Sequence, residues 1–116
     1  MTKYKLIVVV DNELKMPKGK LARQVAGAVT HVIMYHLCYF KWFPMIDWYK
    51  KGLKTVVLKT NDLYKVRADL GLYNIDYLPM VDAGKTVFKQ PTLTCLGLTL
   101  IKEDKVPDFI NELSLL

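Results

Sequence analysis

The stretch from Lys15 to Ala28 holds residues whose types and spacing could do chemistry. Lys15, Lys18 and Lys20 lie at or just before the predicted start of the longest helix. Backbone N–H groups in a helix's first turn lack partners within it, and the helix dipole adds partial positive charge there. Because lysines at this end work against the dipole, the stretch is suited to receive an anion, such as a phosphate or a developing oxyanion. The alternative is a solvated, lysine-rich loop.

A polar line continues from this start along the predicted helix. Lys20, Gln24, Gly27 and His31 follow the i, i+4, i+7, i+11 spacing, which places them on one side of a helix. We expect this side to be a polar edge that leads away from the anion-binding end. The buried face is predicted to consist of the apolar positions at helical spacing, which are Ala22, Val25, Ala26, Val29, Val32, Ile33 and Leu37.

A layered α/β domain is predicted to position these residues. Lys5 to Val10 is a continuous run of apolar, mostly β-branched residues, typical of a central strand covered on both faces. The predicted order is β-α-α-β-α-β-β-α, a single domain over residues 1–116 with a mixed four-stranded sheet and helices on both faces. The later elements are predicted as a helix from Gly19 or Lys20 to about Leu37, a helix over Pro44–Lys51, a strand over Lys54–Thr60, a helix over Asp62–Leu72 capped by Thr60 or Asn61, strands over Tyr77–Val81 and Thr92–Ile101, and a helix from Asp104 or Lys105 to about Leu113.

Composition narrows the classes of function. The chain has 116 residues and a net charge of +6, which favours nucleic acid, an anionic substrate or a membrane surface as partner without choosing among them. Cys38 and Cys95 have no metal-type spacing and are expected to be free thiols in a reducing cytosol. No metal or cofactor motif is apparent. The uncharged run Val25–Phe40 is shorter than the roughly 20 residues that span a bilayer, so we expect no membrane segment.

The segment from Tyr39 to Lys51 is dense in aromatic residues. Its rings are Tyr39, Phe40, Trp42, Phe43, Trp48 and Tyr49. We expect most of them to complete the core. The alternative is a surface for self-association or for another protein, since aromatic residues are enriched at interfaces.

Four short motifs occur in order along the chain. They are Met16-Pro-Lys-Gly19-Lys20-Leu-Ala22-Arg-Gln24, Trp48-Tyr-Lys-Lys-Gly52-Leu-Lys54, Asp82-Ala-Gly84-Lys-Thr86 and Thr92-Leu-Thr94. With these motifs at matching spacing, the chain resembles the archaeal/eukaryotic-type peptidyl-tRNA hydrolases over nearly its whole length.

The resemblance implies hydrolysis of the ester that joins a peptide to the 3′ ribose of tRNA. It implies tRNA as partner, a homodimer, a cytoplasmic location and no cofactor. Spacing alone favours a turn aspartate at Asp82, whereas the resemblance makes it the group that orients water. The other implied site residues are Lys20 and Thr86 for charge stabilisation, Gln24 and Thr92 for positioning, and Lys18 and Arg23 for substrate binding.

The chain departs from the family's usual pattern mostly in the site. Asp11 stands where the family has arginine, Gly27 where it has histidine, and Thr99-Leu100 where it has Gly-Pro. Val87 and Pro91 also differ from the usual glutamine and glycine. We therefore keep two further hypotheses: that His31 partly replaces the missing ring, and that the protein is a weak or inactive relative that binds tRNA or a protein partner.

Overall fold

β1 lies in the middle of the sheet in the computed structural model, which describes residues 3–84 and 88–116. It pairs in parallel with β2 and antiparallel with β4, so the sheet is mixed as predicted. The elements in chain order are β1 (Tyr4–Asp11), α1 (Lys18–Tyr39), α2 (Trp42–Lys50), β2 (Thr55–Thr60), α3 (Leu63–Leu72), β3 (Tyr77–Asp82), β4 (Thr92–Leu98), β5 (Ile101–Lys102), α4 (Asp108–Asn111) and β6 (Ser114–Leu115).

Over the described residues the sheet has six strands, and the prediction of four is therefore wrong. Its order is β3-β4-β1-β2-β6, with β5 paired to the start of β1. The strand expected over Thr92–Ile101 breaks at Thr99 and Leu100, whose backbone N–H groups donate to the Asp76 carbonyl and to His36 Nε2. Residues after the break pair with β1 again as β5, and the two-residue β6 closes the other edge.

Apolar layers cover both faces of the sheet, as the unbroken apolar run of β1 predicts. Ile7 and Val9 point into a cluster with α3 and α4. Leu6, Val8 and Val10 point into a second cluster with α1 and α2. Because successive side chains of a strand alternate between faces, β1 contributes to both cores at once.

The buried face of α1 contains part of the predicted apolar set and adds polar residues that the pattern does not predict. Of the predicted set, Val32 is buried, and Val25, Val29 and Ile33 pack against the core while partly exposed. The buried residues are Lys20, Gln24, Ala28, Val32 and His36. They form an i, i+4 row, which rotates by about 40° around the axis at each step, so the helix crosses the sheet obliquely. Ala22 and Ala26 are exposed, and Leu37 is largely so. No described helix, α1 included, is long and apolar enough to cross a membrane.

His36 fixes the far end of α1 to the break between β4 and β5. Its ring is fully buried, and its Nε2 accepts the Leu100 N–H at 3.0 Å. A nitrogen that accepts carries no proton, so Nδ1 carries it and donates to the Lys41 carbonyl at 3.0 Å. Burial lowers the pKa of His36, which favours this neutral imidazole.

The aromatic segment is divided between core and surface. Trp48 is buried, and its Nε1 donates to the Lys54 carbonyl at 2.8 Å. Tyr39, Trp42, Phe43 and Tyr49 are 61–82% exposed, so the expectation that most rings complete the core is wrong. These four rings define what we call the aromatic surface.

Two helix ends also differ from the predictions. The N-cap of α3 is Asp62, whose side chain accepts the Lys65 N–H at 3.1 Å, while Thr60 accepts the Asp62 N–H. The last predicted helix is divided into a 3₁₀ turn over Glu103–Lys105 and the four-residue α4. Pro107 lies between them as the N-cap of α4, because a proline cannot donate a backbone hydrogen bond within a continuing helix.

Candidate active site

A buried ion pair joins the start of α1 to the end of β3. Lys20 is 8% exposed and Asp82 5%, and Lys20 Nζ donates to Asp82 Oδ1. Arg23 Nη2 lies 3.7 Å from the same oxygen, while the Gly84 N–H donates to Oδ2 at 2.9 Å. The hydrogen bond from Lys20, then that from Gly84, lowers the pKa of Asp82 below 3.8. The aspartate is therefore an ionised carboxylate at neutral pH.

A bend directly after β3 places Gly84 where its N–H can bind this carboxylate. Gly84 has a φ of +83°, and a Cβ on it would lie 2.5 Å from the Gln90 backbone carbon. Glycine alone fits both requirements. Asp82 is thereby bound at the last residue of β3, where it pairs with Thr92 of β4.

Gln24, one turn beyond Lys20, is also buried and bound. Its Oε1 lies 2.7 Å from the hydroxyl of Thr94, which is 3.0 Å from the Met80 carbonyl. The strand register changes at this point: Met80 pairs with Cys95, but Val81 pairs with Leu93, so Thr94 is left over. This bulge directs the Thr94 side chain toward α1, as bulges beside active sites commonly do.

Two residues that sequence reasoning missed line the same region. The ring of Phe88 lies with its centroid 5.8 Å from Lys20 Nζ, within cation–π range. Thr94 has no predicted role beyond its place in the Thr92-Leu-Thr94 motif, yet its hydroxyl contacts Gln24, which Thr92 does not. Thr92 instead donates to the Gln90 carbonyl at 2.8 Å within its own turn. A bulge depends on the partner strand, so no signal in the local sequence separates the two threonines.

The N-terminus of α1 is arranged to favour an anion. Pro17 is its N-cap without a side-chain cap, and the first turn contains no acidic residue. Lys18, the first helical residue, is exposed beside it. From residue 14 to residue 46 the sequence has no aspartate or glutamate. Asp11 lies nearby as the cap of a 3₁₀ turn, and burial, ahead of its acidic neighbours, raises its pKa above 3.8.

The remaining predicted residues lie apart from the pair. His31 is exposed and roughly 16 Å from Lys20 along the helix axis, so the structure does not bring it to Asp82. Thr86 lies outside the described residues. The position of Gly27 is not empty, because a Cβ there would lie 2.5 Å from the Met80 methyl. Within the described residues no three His, Cys, Asp or Glu side chains are grouped as a metal site.

Geometry and charge together define a class of site. A buried ammonium anchored by a carboxylate, beside a positive helix end and an exposed arginine, is suited to bind an anionic substrate and stabilise an oxyanion. The fold and the site together define a mixed α/β domain with a candidate site for binding an anion and stabilising an oxyanion.

Comparison with known proteins identifies the family. The model of the family described as "Peptidyl-tRNA hydrolase PTH2" matches residues 4–116, and the chain belongs to that family. A protein named peptidyl-tRNA hydrolase from Thermococcus sibiricus is 35% identical over 119 residues, covering 99% of each chain. One of the same name from Methanococcus vannielii is 36% identical, covering 97% of this chain and 99% of its own. One from Saccharolobus solfataricus is 34% identical, covering 97% and 98%.

Proposed function

We propose that the protein hydrolyses the ester bond of peptidyl-tRNA, releasing the peptide and the tRNA. The observation that carries this proposal is the buried Lys20–Asp82 pair at the anion-favouring start of α1. Relatives that carry the name peptidyl-tRNA hydrolase match it over nearly their full length. The 3′ end of the tRNA is anionic and lies next to the ester carbonyl. The start of α1 can accommodate both the negative charge and the carbonyl.

In the proposed reaction, water adds to the ester carbonyl and negative charge develops on the carbonyl oxygen. Lys20 stabilises that oxyanion, and Asp82 holds the ammonium in place. The bond to the ribose oxygen then breaks. That oxygen takes up the proton that the attacking water has lost and leaves as the 3′ hydroxyl of tRNA, while the peptide leaves with a free carboxyl group. Arg23 and Lys18, both exposed, contact phosphates near the 3′ end. Gln24 positions the carbonyl. Thr86, which lies outside the described residues, and Thr92 are further hydroxyl donors that the family's motifs imply.

The test is a hydrolysis assay with purified protein and a tRNA carrying an N-blocked aminoacyl group, which mimics a peptide. We expect release of free tRNA well above the spontaneous rate at low ionic strength. His31→Ala is the internal control, because His31 lies outside the site and its loss should leave turnover unchanged. Binding of the substrate without its hydrolysis would instead favour the inactive relative.

We also propose that the aromatic surface joins two copies of the chain. Tyr39, Trp42, Phe43 and Tyr49 expose 61–82% of their surface. Aromatic side chains cover about 150–250 Å² each, so the four present roughly 500 Å² toward the about 800 Å² that each partner buries in a standard interface. Exposed Leu37 and Ile46 extend the surface.

Phe43→Glu is expected to convert the dimer to a monomer, weakening association at least about tenfold. The control is Tyr64→Glu on α3, where an equally exposed aromatic residue lies outside the aromatic surface. Analytical ultracentrifugation of the three proteins measures the effect. A wild type that stays monomeric at high micromolar concentration, or a Tyr64→Glu variant that also dissociates, would contradict the proposed interface.

We place the protein in the cytoplasm, where translation supplies its substrate. Both cysteines are free thiols, with Cys38 exposed, which a reducing compartment permits. Cell fractionation would contradict this location if the protein were recovered with membranes or secreted material.

A further inference from the structure

Met80 of β3 lies directly over Gly27 of α1. An ideal Cβ at Gly27 would be 2.5 Å from Met80 Cε and 3.2 Å from its Sδ. Cβ atoms essentially never approach another atom that closely. The methionine therefore occupies the volume that any other side chain at position 27 would need.

Met80 is also joined to α1 through its backbone. Its carbonyl lies 3.0 Å from the Thr94 hydroxyl, which is 2.7 Å from Gln24 Oε1. Two residues further along β3, the Asp82 carboxylate receives the hydrogen bond from Lys20. The end of β3 is thus attached to α1 at three levels, at residues 20, 24 and 27, over roughly 10 Å of helix.

We propose that Met80 is a positioning residue of the hydrolytic site and that its size is matched to the absence of a side chain at Gly27. This inference rests on the proposed function. The thioether sets how closely β3 approaches α1, and that approach fixes where Asp82 holds the Lys20 ammonium. Methionine suits the role because its unbranched, flexible chain fills an irregular gap that a branched residue would not.

A change in the distance between β3 and α1 should alter the reaction rate, because rates are sensitive to the positions of the catalytic groups. A misplacement of about 1 Å, even when its origin is remote, can cost about 100-fold in rate. Met80→Ala removes the thioether side chain that lies between β3 and α1. Gly27→Ala displaces the methionine methyl and sulfur from the place that they fill against α1, because a Cβ there would lie 2.5 Å from the methyl and 3.2 Å from the sulfur. In both variants Met80 no longer fixes the distance between the end of β3 and α1, although the fold remains.

The experiment is a cycle of Gly27→Ala, Met80→Ala and the double variant, with kcat and KM measured on peptidyl-tRNA. We expect each single variant to lower kcat about tenfold with little change in KM. In the double variant the methyl added at position 27 partly fills the space left at position 80. The combined loss of kcat should therefore be smaller than the product of the two single losses. Met80→Leu, which keeps most of the volume, should retain most of kcat. Met34→Ala, an exposed methionine on the same helix, is the control and should change nothing.

Thermal unfolding separates positioning from a general loss of structure. Alanine favours a helix more than glycine does, so Gly27→Ala should unfold at an unchanged or higher temperature while its kcat falls. Single variants with unchanged kcat, or effects that simply multiply in the double variant, would overturn the role of Met80 and leave the proposed function standing. A wild type without turnover would overturn the proposed function, and this role with it.

Discussion

Replacement of Lys20 by methionine is expected to lower kcat/KM for peptidyl-tRNA by about 10²–10³-fold, the range for removing one donor that stabilises an oxyanion. The ammonium is buried and therefore acts in surroundings where charges interact more strongly than in water. Methionine keeps the length and the apolar stem of lysine while removing its charge. Because the stabilised charge develops in the transition state, most of the loss should appear in kcat rather than in KM.

Lys18→Met is the matched control, since Lys18 lies two residues earlier on the same helix but is exposed. Removing a residue that contacts only phosphate should weaken binding modestly. It should also reduce the slope of log affinity against log salt concentration by about one. Measurement of kcat and KM at several salt concentrations distinguishes the two lysines. Equal effects of the two substitutions on kcat would show that Lys20 does no more than attract the tRNA.

Local patterns predicted most of the elements, whereas they missed the two short strands β5 and β6 and the polar part of the face that α1 buries. The apolar run of β1 predicted a central strand, and the helical spacing after Pro17 predicted α1, because both signals are contained in a few neighbouring residues. The buried row of α1 includes Lys20 and Gln24, whose partners Asp82 and Thr94 lie 62 and 70 residues away. A polar side chain is buried only where such a partner exists, and no helical periodicity reports the partner.

The aromatic segment shows a different limit. A sequence cannot separate rings that pack against their own chain from rings that pack against another, because both kinds bury apolar surface. Trp48 and Trp42 are six residues apart, yet Trp48 is buried and Trp42 is 61% exposed. Gly27 is a third case. Its role depends on a contact with Met80 of β3, which is 53 residues later in the sequence.

The candidate site was predicted in part. The motifs identified Lys20, Gln24 and Asp82, and the structure brings these three to one end of α1. It adds Phe88 and Thr94, which are placed by a turn and by a bulge rather than by a motif. It leaves His31 on the surface, because the oblique crossing of α1 turns that position away from the sheet.

Asp82→Asn is expected to lower kcat to a similar extent as Lys20→Met, and the two substitutions together are expected to cost little more than either alone. The carboxamide fits the same space and can still accept the Gly84 N–H, but it no longer pairs with the ammonium as an anion. If Asp82 acts by holding Lys20, removing the anchor and removing the anchored group damage the same interaction. Residues that act as one unit are strongly non-additive in this way.

The opposite result would assign Asp82 a separate task, as the base that takes a proton from water. In that case the losses in the double variant would multiply, to about 10⁴-fold or more.

The pH profile gives a second measurement of the same point. Because the pKa of Asp82 is lowered below 3.8, its carboxylate is already charged throughout the range above pH 5. Its titration should therefore produce no acid limb in kcat/KM there. A wild-type acid limb near pH 5–6 that disappears in Asp82→Asn would contradict the role of Asp82 as an anchor.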